Sequence, residues 1–392
     1  MELPADGRTY DVNMITRMGD ILFYLAYFLI LSAGVLTNVH FLSGYVAIAG
    51  NIAYAMLFLI FILRAHRSSH MNMAIKVIVL FALFASFYVS SELQVIKLYF
   101  LIIAFQGMDL GKFIRYDLML KLLLIAVVLS FYFLGLTDTY YMVREGGQIR
   151  SSMGFAHPNA FGAMLLSLCI AIYYLKFEKL NFLYYLFFFA VSLVIRYFSD
   201  SRTSQLAIIL LCIMHFVYKK TLGKIFTKKT VLFVISNSFL IFTVLSILLA
   251  YLYKIGNPYI IDLSKLLTGR IELMHLFMEE YDITLLGNKI EIVNAQSAVQ
   301  TGRSFWVLDN GYLMLLLRYG IITYLILAVI IHNGIKKLFS NNNYACAIIL
   351  FVFFIAGITE TYFYTIIVNT FLLVFSNTTC DKINLKQVVA DG

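Results

Sequence analysis

The sequence predicts an all-α, polytopic integral membrane protein. About twelve apolar stretches fill nearly the whole chain, 61% of residues are hydrophobic, and only 13% are charged. The charges that interrupt the apolar runs are mostly arginines, and they gather on one predicted side. The mean hydropathy is +0.86, more apolar surface than a soluble core of this length needs. A lipid-embedded bundle needs it, because its helices are apolar outward as well as inward.

Twelve spans are expected, at 20–37, 44–63, 74–91, 93–108, 118–136, 160–176, 182–198, 204–218, 231–253, 310–331, 344–359 and 361–377. The first run begins near Ile21 without a small-residue cleavage site behind it, so it reads as a retained helix and not a signal peptide. No polar stretch is long enough for a soluble domain. The chain reads as one helical domain, 1–392, with one large extracytoplasmic loop at 254–309. Cys169, Cys212, Cys346 and Cys380 lack paired spacing, which argues against disulfide and zinc readings.

Twelve crossings place both termini on one side. With them fall Arg8, Arg17, Arg64, Arg67, Lys76, Lys112, Arg115, Lys121, Lys176, Lys179, the run Lys219, Lys220, Lys224, Lys228 and Lys229, then Lys336, Lys337, Lys382 and Lys386. By the positive-inside rule that side is cytoplasmic, so the formal charge of +9 reports membrane orientation and not nucleic acid. Arg144, Arg150, Arg196, Arg202, Lys254, Lys265, Arg270, Lys289 and Arg303 fall on the other side, against the bias. Cations placed there point to an anionic ligand.

Four polar constellations interrupt the apolar pattern. The first, Gly154 to Gly162, opens the sixth run. Pro158 suits a first helical turn, and His157 or Asn159 suits its cap. It reads either as a structured helix start or as an imidazole and helix amides facing an anion. The second, Arg196 to Ser204, puts Arg202 at the start of the next helix, against the helix dipole. It reads as an interfacial arginine partnered by Asp200, or as a guanidinium fork for phosphate.

The third opens at Gly269-Arg270 and continues with Ile271, Met274, Phe277, Met278 and Tyr281 at helical spacing, a helix at the outer interface. The fourth runs from Arg303 to Tyr312. Asp309 stands where a helix cap would, and Arg318 lies deeper, where a charge must face protein or water. Glu360, between the last two runs, is a candidate partner for Arg318 or a wall of the same cavity.

These constellations, in this order, resemble the bacterial Wzy-type polysaccharide polymerases and the related O-antigen ligases. The matching positions are Gly154 to Asn159, Ser201-Arg202, Gly269-Arg270, Asp309-Asn310 and Gly320-Ile321, within roughly 150–325. The resemblance implies a GT-C-like architecture in the cytoplasmic membrane of a bacterium. It implies polymerisation, at the outer face, of oligosaccharide repeat units carried on undecaprenyl diphosphate. The implied partners are those lipid-linked oligosaccharides, membrane lipids, a chain-length regulator and a flippase. By the same resemblance Arg202 and Arg270 hold the diphosphate, with Arg196, Arg303, His157, Asn159 and Arg318 as further binding residues. The ligases carry a histidine, their proposed base, where Asp309 stands here, which makes Asp309 the candidate catalytic base and favours polymerase over ligase.

The chemistry itself points the same way. Arginines stabilise a departing diphosphate, and a carboxylate within hydrogen-bond reach activates an attacking hydroxyl. The acids of the outer segments, Asp200, Glu279, Glu280, Asp282, Glu291 and Asp309, are too scattered for a magnesium site, so no cofactor is expected. The alternatives are an O-antigen-ligase-like transferase and a transporter or flippase for lipid-linked oligosaccharides. The flippase reading predicts charges along both halves of a central path, whereas here they sit towards one.

Overall fold

A computed structural model describes residues 7–65, 70–137, 139, 141–143, 149–293, 302 and 306–379. It is helical, with one short hairpin. In chain order the helices are α1 (Gly7–Val35), α2 (Ser43–Ala65), α3 (His70–Ser90), α4 (Gln94–Ala104) and α5 (Leu110–Phe133). The antiparallel strands β1 (Tyr141–Val143) and β2 (Ile149–Ser151) follow. Then come α6 (Pro158–Lys176), α7 (Phe182–Phe198), α8 (Arg202–Lys220), α9 (Lys229–Ser236), α10 (Ser238–Lys254), α11 (Pro258–Leu266) and α12 (Arg270–Glu280). Last are α13 (Gly311–Ser340), α14 (Tyr344–Ala356) and two 3-10 segments, Tyr362–Tyr364 and Thr370–Thr379.

The expectation of about twelve spans is overturned. Among the described residues, six helical segments are long and apolar enough to cross a membrane: Arg17–Asn38, Gly44–Arg64, Met73–Ser90, Leu110–Phe133, Pro158–Lys179 and Gly311–Ser340. A seventh arises only if α9 and α10, bent by 61° at their junction, count as one. The protein is thus a multi-pass membrane protein with about half the crossings expected.

The reason is physical. At 1.5 Å per residue, the 11 residues of α4 and the 13 of α14 fall well short of a hydrocarbon core about 30 Å thick. The 17 residues of α7 reach only about 26 Å, and the run at 361–377 folds into 3-10 turns. In α8, polar residues at both ends hold its hydropathy below that of a span. Helix α14 is apolar all round because protein surrounds it, with Ala345 to Leu350 and Val352 to Phe354 all buried. The side assigned to each loop by counting twelve crossings falls with the count.

The chain divides into two compact units, one holding residues up to Ile75 and Lys97–Gln205, the other Lys76–Ile96 and Leu206–Thr378. In the first, α1 packs on α2 and α5, and α6 on α5 and α7. Its centre is aromatic, with Phe23, Tyr27, Phe105 and Phe113 in mutual ring contact. A buried ion pair, Lys121 with Asp117 at 3.0 Å, joins that centre through the Tyr27 hydroxyl.

In the second unit α10 packs on both α12 and α13. Met274, Phe277, Ile290, Leu308, Leu313, Met314 and Leu317 form its core, capped by Trp306 stacked on Phe277 at 4.6 Å. Helix α13 is broken at Gly320 (φ 79°, ψ 172°), a conformation closed to other residues. A break frees backbone groups, and inside a membrane span each must be satisfied by protein. The segment 284–288 does this. The amides of Ile321 and Ile322 donate to the carbonyls of Thr284 and Leu285, and Asn288 donates to the carbonyls of Leu317 and Arg318. The two chains touch so closely that a Cβ on Gly287 would lie 2.0 Å from the Arg318 carbonyl oxygen.

Candidate functional site

Two arginine clusters, one in each unit, hold most of the residues the sequence singles out. In the second unit the centre is Arg270, the first residue of α12. Gly269 enters that helix at φ 78°, which suits glycine. Ile271, Met274 and Phe277 anchor the helix in the core, which leaves Arg270 at its start with a side chain only 13% exposed. Its Nη2 donates to Glu360 Oε1 at 2.8 Å, and its Nε lies 3.4 Å from Asp309 Oδ2.

One guanidinium therefore stands between two carboxylates. Burial pulls its pKa down, but Glu360 and then Asp309 outweigh burial, and it ends above the ordinary arginine value. It stays a cation under all working conditions.

Backbone contacts bring the two acids together. The amide of Gly311 donates to the Gly357 carbonyl at 2.9 Å, and Asn310 Nδ2 donates to the Ile358 carbonyl at 2.9 Å. Those bonds hold the turn bearing Glu360 against the start of α13. Gly311 is needed there: a Cβ would meet the Phe363 ring at 2.3 Å. Exposure separates the acids. Glu360 is 8% exposed and Asp309 28%, so Asp309 is the one that solvent and ligand reach.

The sequence places the helix cap at Asp309, and the structure moves it by one. Asn310 caps α13, accepting from the Leu313 amide at 2.8 Å. Asp309 stands one position before that cap, with its Oδ2 beside Arg270 Nε.

Arg318 does not pair with Glu360, contrary to the sequence expectation. Its nearest acid is Glu92, 3.7 Å from Nη1. Arg303 lies outside the described residues.

The cluster in the first unit is built the other way round. Asp200, buried and at positive φ (43°), sits between Arg196 and Arg202. Arg196 Nη1 bonds one of its oxygens, while Arg202 Nε lies 3.7 Å from the other, beyond hydrogen-bond distance. The arginines are 42% and 45% exposed. Beside Arg196 lies an open cleft of about 660 Å³, lined also by Ile149, Ser151, Leu193, Tyr197 and Phe198. A cation at the edge of an apolar cleft suits an anionic group on an apolar chain.

His157 and Asn159 hold this region together. His157 Nδ1 accepts from the Asn159 amide at 3.0 Å and so caps α6 ahead of Pro158. Asn159 Oδ1 accepts from Arg150 Nη2, and Arg150 Nε donates to the Ser199 carbonyl at 2.8 Å. Arg150, named in the sequence only as a cation against the charge bias, is buried and ties β2 to both α6 and the end of α7. Gly162 lets α6 approach the turn before α8, since a Cβ there would meet Ser201 at 2.5 Å.

Among the described residues, no three of His, Cys, Asp and Glu are gathered closely enough to hold a metal ion. Comparison with protein-family models, curated proteins and solved structures finds no match.

Proposed function

We propose that the protein is a glycosyltransferase of the polymerase kind. It joins oligosaccharide repeat units carried on undecaprenyl diphosphate into a surface polysaccharide at the outer face of a bacterial cytoplasmic membrane. The observation that carries this reading is Asp309, a partly exposed carboxylate held in place by Arg270 and relieved of capping by Asn310. Such a group suits general-base activation of a sugar hydroxyl, worth roughly 10²–10⁴-fold in rate. Arg270, its Nε and Nη2 already directed at carboxylates, acts as a positioning residue.

The lipid diphosphate is assigned to Arg202 and Arg196, whose half-exposed guanidinia share a single carboxylate. Their planar donors match phosphate oxygens. The apolar cleft beside Arg196 supports a ligand with a hydrocarbon part. The catalytic proposal uses no metal.

Sizing of lipid-linked sugars in cells that lack the protein, or carry it, tests the reading. The polymerase proposal expects single repeat units on the carrier at the outer face when the protein is absent. Units trapped inside would make it a flippase, and long chains left on the carrier would make it a ligase. Impermeant-maleimide labelling of single cysteines at Lys265 and Lys224, in a cysteine-free background, tests sidedness. If α9 and α10 together make one crossing, the Lys265 position labels in intact cells and the Lys224 position does not.

A further inference from the structure

Arg318 lies about two turns into α13, just before the break at Gly320. Its side chain is 11% exposed, yet its donors are poorly used. Nη2 donates to the Ile290 carbonyl at 3.0 Å, Nη1 stands 3.7 Å from Glu92, and the buried Nε has no acceptor. The buried Tyr319 hydroxyl faces the same guanidinium at short range but without a well-aligned hydrogen bond. So does the hydroxyl of Tyr364, which also feels Glu92.

Buried donors left unmade are destabilising, and a membrane span offers them no water. Two such atoms side by side, next to a cation, mark a place where a ligand oxygen completes the bonding. Backbone fixes the position: Ile290 belongs to the stretch that follows segment 284–288, which itself fills the break in α13.

The chemistry of the ligand follows from the charges. One guanidinium faces one carboxylate, Glu92, held loosely and 43% exposed on its side chain. Glu92 shows what the guanidinium accepts, and its exposure lets it move aside. A single cation matches a single negative charge, and the planar guanidinium matches the two oxygens of a carboxylate. Two phenol hydroxyls beside it suit the hydroxyls of a sugar.

We propose that Arg318, with Tyr319, Tyr364 and Glu92, forms a subsite for a carboxylate-bearing sugar, whose carboxylate displaces Glu92. The proposal rests on the reading of the substrate as a glycan and narrows it to acidic repeat units.

The test is binding without turnover, on the full-length protein in nanodiscs. The probes are a tetrasaccharide alternating glucuronate and N-acetylglucosamine, the same compound with its carboxyls reduced to alcohols, and inorganic phosphate. The acidic form should bind about tenfold more tightly than the reduced form, the worth of one charge-assisted pair. Arg318→Gln should erase that difference, and Glu92→Gln should tighten the acidic form several-fold by removing the internal competitor.

Equal binding of the two tetrasaccharides would overturn the subsite, as would a preference that survives in a folded Arg318→Gln protein. Weaker acidic binding in Glu92→Gln would do the same without depending on the Arg318 variant. Phosphate that competes as well as the acidic sugar would make this a general anion site and not a sugar subsite. Carboxylate discrimination by a chain that fails to polymerise would overturn the function and leave the subsite standing. Polymerisation with equal binding would do the reverse.

Discussion

In the first unit two half-exposed arginines share one buried aspartate, whereas in the second one buried arginine is shared by two carboxylates. The same residue types, at opposite stoichiometry, give opposite sites. Arg196 and Arg202 keep excess positive charge at the surface, where it can be offered to an anion. Arg270 faces two carboxylates, and the more exposed of them is Asp309. The number of partners around a guanidinium thus decides whether it binds a ligand or positions another residue.

The sharpest way to break this comparison is Asp309→Asn. Activity should fall by roughly 10²–10⁴-fold, since the basic oxygen is lost while shape is kept. Thermal stability should fall modestly, because the contact with buried Arg270 weakens while Asn310, not Asp309, caps α13. Single repeat units should then accumulate on the carrier. Normal chain length from a well-expressed variant would remove Asp309 from catalysis.

A second prediction contrasts how the two clusters are held. Gly287→Ala must push the 284–288 segment off α13, and overpacking of this kind costs about 1–3 kcal/mol or more. Gly162→Ala meets only the Ser201 side chain and should cost less. Thermal unfolding in detergent should rank Gly287→Ala below Gly162→Ala, and the opposite order would contradict the interlock.

Arg202→Lys sharpens the charge side of the comparison. It keeps the cation and loses the planar fork, so binding of lipid-linked substrate should weaken about tenfold, with KM affected more than stability. Arg270→Lys should instead lower kcat, since it loosens Asp309 without touching the anion. Equal effects on KM from both variants would merge the two roles.

The smallest expected effect is that of salt. Raising ionic strength from about 0.1 M to 1 M shortens the screening length from about 10 Å to 3 Å. Half-exposed Arg196 and Arg202 should feel this as weaker substrate binding. The buried Arg270 should not, so kcat at saturating substrate should hold.

Much of this arrangement was legible in the chain. Glycines 154 and 269, the arginines at 202 and 270 and the acid at 309 fall between apolar runs or at their edges, where such residues stand out. What one sequence hides is pairing. Arg270 and Glu360 are 90 residues apart, and nothing local shows that Glu360 chooses Arg270 over Arg318. The sequence puts the cap at Asp309 and the structure puts it at Asn310, because Asp and Asn cap equally well and composition does not choose between neighbours. The span count failed for a different reason. Apolarity reports burial, and the runs at 344–359 and 361–377 are buried in protein, a difference that hydropathy does not register. Leu286-Gly287 reads in the sequence as the end of the helix opened at Arg270, which instead ends at Glu280, and the need for Gly287 arises from a neighbour 31 positions away, the carbonyl of Arg318.

The filled break in α13 has a consequence for how the large loop can vary. Its bonds to residues 284 and 285 run through backbone, and so does the bond from the Asn288 amide to Arg318. Side chains at 285 and 286 are therefore open to change, while the spacing between Thr284 and Asn288 is fixed: one inserted residue would shift every donor off its acceptor. Related chains should keep this five-residue ruler constant in length and place their insertions after Ile290.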